Sequence, residues 1–319
     1  MKAFDSIDEI QHAFLDSLLR DGESVQPRGM PTLELSAITF KLLNPRKRTI
    51  TNPMRRWSLP LALGEFCWHV SGSNEVSFIE YYAKRWRDFA EDGSTIRGSC
   101  YGHKIFKQPI EGPSQWKRII KLLQTDRYSR RAILNFSDFD LPVDITPKDV
   151  SCACTLQFLI RSDKLHAFAY MRSNDAIWGL PYDVFLFTML QELMALELGV
   201  EPGSYNHFAT SLHLYEQHIQ LARRIVSSGV DQSFEMKPMI DHRWLSRFLT
   251  LESRIRMGER LDYKKEVALL PAFWRDLVEV LSWFRSTKEL GGPSEAASMI
   301  PIDSPYEHIL RNLTASSLI

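Results

Sequence analysis

The chain has 319 residues, 44% of them hydrophobic, enough to bury a substantial core in one large domain or two small ones. Its 39 Lys plus Arg balance its 39 Asp plus Glu, so nothing suggests electrostatic capture of nucleic acid or an anionic membrane. No stretch approaches the ~18 consecutive apolar residues of a membrane-spanning helix, and four scattered cysteines fit a reducing cytoplasm better than a disulfide framework.

The first segment, "MKAFDSIDEIQHAFLDSLLRDG", is not a signal peptide; Ile7, Ile10, Phe14 and Leu18 stripe an amphipathic helix, and Ser6 with Glu9 makes a capping box. "TLELSAITFKLL" (32–43) predicts a strand, and "LPLALGEFCWHVSG" (59–72) a buried helix with a glycine stop. "RRAILNF" and "CTLQFLI" are β-like, and "KLHAFAYMRS" (164–173) alternates as a strand should. Pro181 opens an apolar helix over 182–198, and "SYNHFATSLHLYEQHIQLARRIV" reads as a short strand or turn that becomes a helix. Residues 265–285 predict an amphipathic helix interrupted near Pro271; "ELGGPSEAASMIPIDSP" is a loop, and a short helix follows. This is a mixed α+β layout, expected to form one domain over 1–319.

Several polar residues stand where a purely structural chain prefers apolar ones. Asp183 sits in the first turn of an apolar helix, where a carboxylate suits the positive end of the helix dipole. Glu65 interrupts a buried helix, so it is either satisfied by a partner or functional. Arg130 and Arg131 open one strand and Arg172 with Ser173 end another; singly these are ordinary strand ends, together they suit a phosphate monoester. Cys152, at the mouth of the "CTLQFLI" strand, is a small buried hydrophobe unless nearby positive charge makes it a nucleophile. His213 and Tyr215 share one face of an extended segment and could bind a sugar hydroxyl or be core. Cys152 and Cys154 form a lone C-x-C with no further ligands at metal spacing, so zinc is not expected.

"SCACTLQFLI", "LHAFAYMRSNDAIWGLPYDVF" and "SLHLYEQH" resemble the catalytic half of the thymidylate synthase superfamily. The match includes the spacing from Cys152 to Gln157, the R-S-x-D at Arg172 to Asp175, Gly179 with Pro181, and His213-x-Tyr215. "TDRYSRR" is similar to the family's paired-arginine segment, "LGEFCWHVSGSN" to its E-x-x-W-x-x-x-G helix, and "RWRDFAEDG" with "YGHKIF" to its tryptophan and tyrosine stretch. The resemblance runs over about residues 25–220 and fades over 221–319.

The resemblance implies a large twisted mixed sheet flanked by helices, packed against its twin in a homodimer with shared active sites. Each site would take a pyrimidine nucleoside 5′-monophosphate and 5,10-methylenetetrahydrofolate as co-substrate, with no metal. Carried over residue by residue, Cys152 attacks C6 of the base and Glu65 orders water for proton transfer. Arg28, Arg172 and Ser173 hold phosphate with Arg130 and Arg131 of a second subunit. Asp175 and Trp86 serve the folate, Tyr101 borders the cysteine, and His213 with Tyr215 bind the ribose.

Departures from the family pattern fall around position 4 of the base. Ser151-Cys152-Ala153 replaces the usual Pro-Cys-His, and Asp183 replaces the asparagine that reads uracil. "MRSND" and "SLHLY" are more similar to the deoxycytidylate 5-hydroxymethylases and their ribonucleotide relatives, and the small Ala176 favours CMP over dCMP. The expectation is a cytidylate 5-hydroxymethylase, with dCMP as the other substrate and a thymidylate-synthase-type methylase as the closest rival. A catalytically dead, nucleotide-binding paralogue is a rival from another class; keeping Cys152, Glu65, Asp175 and the arginines together argues against it. The family's C-terminal folate lid is not recognisable in "RNLTASSLI".

Overall fold

In a computed structural model that describes residues 1–107, 111–137, 148–230 and 233–314, a mixed sheet is flanked by helices. Its strands are β1 (Lys2–Phe4), β2 (Glu23–Val25), β3 (Thr32–Leu42), β4 (Ile133–Asn135), β5 (Ala153–Arg161), β6 (Lys164–Met171), β7 (Asn174–Asp175) and β8 (Glu201–Tyr215). The main path runs β1-β3-β8-β6-β5-β4, with β2 added to β3 and β7 to β8. β8 is central: it pairs antiparallel with β3, from Thr32 opposite Tyr215 to Leu42 opposite Tyr205, and parallel with β6 and β7.

The helices are α1 (Ile7–Asp21), α2 (Leu59–Val70), α3 (Val76–Ile79), α4 (Gln115–Thr125), α5 (Leu180–Leu198), α6 (Ile219–Ser228), α7 (Trp244–Arg256), α8 (Ala272–Leu290) and α9 (Glu307–Thr314). α1 forms on the predicted stripe, with Ile7, Ile10, Leu15 and Leu18 fully buried. Its cap differs from the predicted box in one detail. The Ser6 hydroxyl accepts from Glu9 N–H, but the Glu9 carboxylate accepts from Asp5 N–H, one residue earlier than the Ser6 amide. α8 starts behind Pro271, as the interruption there predicts, because a proline cannot accept a place inside a helical ladder.

α5 and β8 explain how the sheet holds a site. α5 is buried almost all round, so it passes through the interior rather than lying on the surface. It ends on Gly199, whose positive φ of 66° lets the chain reverse directly into β8. The sequence suggests only a short strand or turn before α6, whereas β8 runs 15 residues. The reason is tertiary. Asn206 and His207 interrupt the apolar alternation yet are buried: Asn206 Nδ2 donates to the Ala167 carbonyl of the neighbouring β6 at 3.1 Å, and His207 Nδ1 meets the Tyr205 hydroxyl two residues back in β8 at 2.8 Å. α4 and α7 are not anticipated from the sequence. Both bury only part of one face, so their apolar signal is diluted by charge.

Candidate active site

The first turn of α5 and the mouth of β5 place the two residues on which the chemistry turns. Cys152 stands one residue before β5, beside the irregular pairing between Ala153 and Thr155, and is half-buried. β6 runs antiparallel to β5, so its end brings Arg172 back to this point, where the Arg172 amide donates to the Cys152 carbonyl at 2.9 Å. The guanidinium then reaches across: Nε donates to the Ser151 carbonyl at 2.8 Å, and Nη2 lies 3.0 Å from the Val150 carbonyl and 3.8 Å from Cys152 Sγ. Burial pushes the thiol up to about 11, Arg172 and Arg28 oppose the rise, and Asp183 and Asp149 reinforce it.

Asp183 is held by its neighbour across the turn. Asn174 Nδ2 donates to Asp183 Oδ2 at 2.7 Å, and burial still raises the carboxyl to about 7, with Asp175 adding to the rise. Half of the molecules therefore carry a proton on Asp183 near neutral pH. Its charge bears on Cys152, Glu65, Tyr101 and Tyr205, which puts all four around one centre. Asp183 does lie in a first helical turn, but a solvated helix-end acid would not be raised this far.

Glu65 projects from α2 into the same space. Burial raises it to about 8, against the opposing Arg85 guanidinium and Trp86 indole N–H. Tyr101 closes another side: its hydroxyl accepts from the Ala153 amide at 3.4 Å, and its ring stacks on His69 with centroids 5.4 Å apart. The stack needs Gly102, where a Cβ would stand 1.9 Å from the His69 carbonyl. Burial lowers His69 to about 3, so it stays neutral while its Nδ1 accepts from the Gly102 amide.

The remaining predicted residues fall into a near group and a far pair. Arg28 sits exposed in a tight turn before β3 at φ 51°, where its charge bears on Cys152 and Tyr215. Ser173 lies half-buried between Arg172 and Asn174. Burial lowers His213 and raises Tyr215, and Asp175 bears on both; their rings meet edge-on at 5.1 Å. Asp175 Oδ1 accepts from the Ile177 and Trp178 amides at 2.7 and 3.0 Å, so this carboxylate sets the turn before α5. Gly179 fits against Asn174, and Trp86 packs on Trp68 at 5.5 Å with its indole N–H turned toward Glu65. Arg130 and Arg131, by contrast, are exposed before the edge strand β4. The positive charges that act on Cys152 are those of Arg172 and Arg28.

Sequence reasoning missed three residues here. Asn174 sits inside "RSND", where an amide looks like ordinary loop polarity. Arg55 is buried, donates to the Ile177 carbonyl at 2.6 Å, and lies 4.8 Å over the Trp178 ring. Arg85 lies over the same ring at 4.4 Å. A lone tryptophan and two arginines far apart in sequence give no joint signal. Among the described residues no group of three or more His, Cys, Asp or Glu could hold a metal ion, and no helix is long and apolar enough to cross a membrane.

Three known proteins are similar to this chain over part of its length. A deoxyuridylate hydroxymethyltransferase of Bacillus phage SP01 is 28% identical over 215 residues, 63% of this chain and 55% of that protein. One of Pseudomonas phage M6 is 31% identical over 182 residues, 56% and 51% of the two chains. One of Delftia phage PhiW-14 is 29% identical over 194 residues, 57% and 53%. The chain thus spans about half the length of these curated relatives. The thymidylate synthase family pattern matches residues 12–245, which takes in α1 through the start of α7 and every residue of the site above, so the chain belongs to the thymidylate synthase family.

Proposed function

We propose that this protein is a folate-dependent pyrimidine nucleotide hydroxymethylase acting on cytidylate. The observation that carries the substrate is Asp183: a carboxyl near half-protonation at the centre shared with Cys152 and Glu65, where the resemblance puts the base-reading asparagine. Cytosine presents a 4-amino donor and an N3 acceptor. A carboxyl that carries its proton can accept from the first and donate to the second, the reverse of the arrangement in which the family's asparagine amide meets uracil.

The residues then act in a defined order. Arg28, Arg172 and Ser173 take the 5′-phosphate, and His213 with Tyr215 take the sugar. Arg172 and Arg28 favour the thiolate of Cys152, and protonation of Asp183 removes a negative charge that opposes it. The thiolate adds to C6, which makes C5 nucleophilic, and the Asp183 proton stabilises the negative charge that builds on the N3 side of the ring. Methylenetetrahydrofolate would supply the one-carbon unit at C5. Trp86 and Asp175 would hold it, as the family resemblance implies. Glu65, raised to about 8, is protonated at neutral pH and can deliver or take a proton through water. Loss of the C5 proton with release of tetrahydrofolate would leave an exocyclic methylene at C5; water adds to that carbon, and the Cys152–C6 bond breaks to give 5-hydroxymethyl-CMP and the free thiolate.

CMP is preferred to dCMP in this reading because Ala176, whose amide donates to the His213 carbonyl, puts a small side chain beside the sugar-binding strand. Arg130 and Arg131, exposed before β4, would serve a second subunit in the cytoplasmic homodimer with shared sites that the resemblance implies. A second reading takes deoxyuridylate as substrate, as the names of the three relatives state for those proteins. Incubation with methylenetetrahydrofolate and each of CMP, dCMP, UMP and dUMP, read by product mass, decides. A hydroxymethylated cytidylate with tetrahydrofolate is expected; methylated product with dihydrofolate, or turnover of uridylates alone, refutes the proposal.

A further inference from the structure

A neutral carboxyl is an ambiguous reader of a base edge. It offers one O–H donor and one carbonyl acceptor, and moving the proton between its oxygens exchanges the two ends. Cytosine matches one arrangement and uracil the other, so Asp183 alone does not choose between them. The position of its proton does.

One group in the structure fixes that position. Asn174 Nδ2 donates to Asp183 Oδ2 at 2.7 Å, and an oxygen that already accepts a hydrogen bond is the poorer seat for a proton. The amide has no freedom to leave. Asn174 is 2% exposed, it is tied into β7 opposite Leu212 of β8, and Gly179 vacates the space beside it: a Cβ there would lie 2.9 Å from Nδ2. Reversing the amide would turn its NH2 group toward the side where Oδ1 now stands, and Oδ1 has no partner among the described residues. That would strand a buried donor group in place of a single acceptor, the costlier arrangement.

We propose that Asn174 is the specificity-determining positioning residue of this site: by donating to Asp183 Oδ2 it keeps the carboxyl proton on Oδ1 and commits the pair to one base edge. This rests on the reading of Asp183 as the base reader. Asn174 also favours the ionised carboxyl, so its removal moves the protonation of Asp183 to higher pH. The other groups that face Asp183 are Asp175, Glu65, Tyr101, Tyr205 and Cys152, and Asn174 alone of these donates to it in the structure.

The test compares wild type with Asn174→Leu, which keeps volume without a donor, and with Asn174→Ala in case the larger side chain does not fold. For each chain with a cooperative melt above the assay temperature, kcat/KM for CMP and UMP and the pH dependence of CMP binding are measured. The CMP-to-UMP ratio is expected to collapse at least tenfold toward unity, and the pH at which binding falls by half is expected to rise. A ratio and a pH midpoint both unchanged overturn the proposal, and so does an equal loss on both nucleotides. Should wild type prefer UMP, the cytidylate reading fails, and the role of Asn174 is still judged by collapse of that ratio.

Discussion

Replacing Asp183 with asparagine is expected to make the protein more stable while it destroys the proposed activity. The side chain keeps its shape and can still accept from Asn174 Nδ2. What it loses is a charge that burial disfavours, which holds the carboxyl at about 7 against an ordinary 3.8. Below about pH 4 that carboxyl is neutral in folded and unfolded chains alike, so wild type and Asp183→Asn differ little. Between about pH 4 and 7 the unfolded chain releases its proton first, and wild type loses stability through that window; above it the loss is complete. The gap from 3.8 to about 7 corresponds to about 4 kcal/mol at 1.36 kcal/mol per pH unit, an upper bound because a buried site relaxes and admits water. Asp183 also helps raise Glu65, so removing its charge eases a second buried acid in the same direction. With 1 kcal/mol equal to about 2 °C in a chain of this size, the variant melts several degrees above wild type at pH 8 and with it at pH 4. Thermal melts of both proteins from pH 4 to 9 supply the comparison. Parallel curves with a constant offset would show that Asp183 is not a buried, raised carboxyl, and the reading of the site would fall with it.

Four further outcomes follow from the same geometry. Asp183→Asn should lose cytidylate turnover by about tenfold to a hundredfold, because an amide that accepts from Asn174 keeps the donor and acceptor positions but is a far weaker acid toward N3; steady-state kinetics read the loss, and unchanged turnover contradicts it. Cys152→Ser should abolish turnover and tritium release from C5 while Cys154→Ser keeps most of both; the reverse pattern would move the nucleophile by two residues. In the free protein, alkylation of Cys152 should accelerate up to about pH 11 and slow further in Arg172→Ala at any fixed pH, because the guanidinium at 3.8 Å favours the thiolate; a rate independent of Arg172 contradicts this. Mixing inactive Cys152→Ser with inactive Arg131→Ala should restore part of the activity if subunits share sites, and no recovery under demonstrated subunit exchange counts against sharing.

Much of this molecule was legible before folding, because some of its signals are local. The α1 stripe, the buried runs of α2 and α5, and the stop at Pro271 depend on spacing and backbone chemistry within a few residues. So do the motif residues, whose order alone marked Cys152, Glu65, Arg172, Asp175, Asp183, His213 and Tyr215 and the family to which the chain belongs. Tertiary structure decided what those residues experience. The length of β8 depends in part on a polar side chain that finds its partner only across the sheet, Asn206 at the Ala167 carbonyl of β6. The Asn174–Asp183 bond joins residues nine apart on either side of a turn, and no periodicity announces it. Protonation belongs to the fold as well: Asp183 near 7, Glu65 near 8 and Cys152 near 11 arise from desolvation, which exists only once the chain has closed around them.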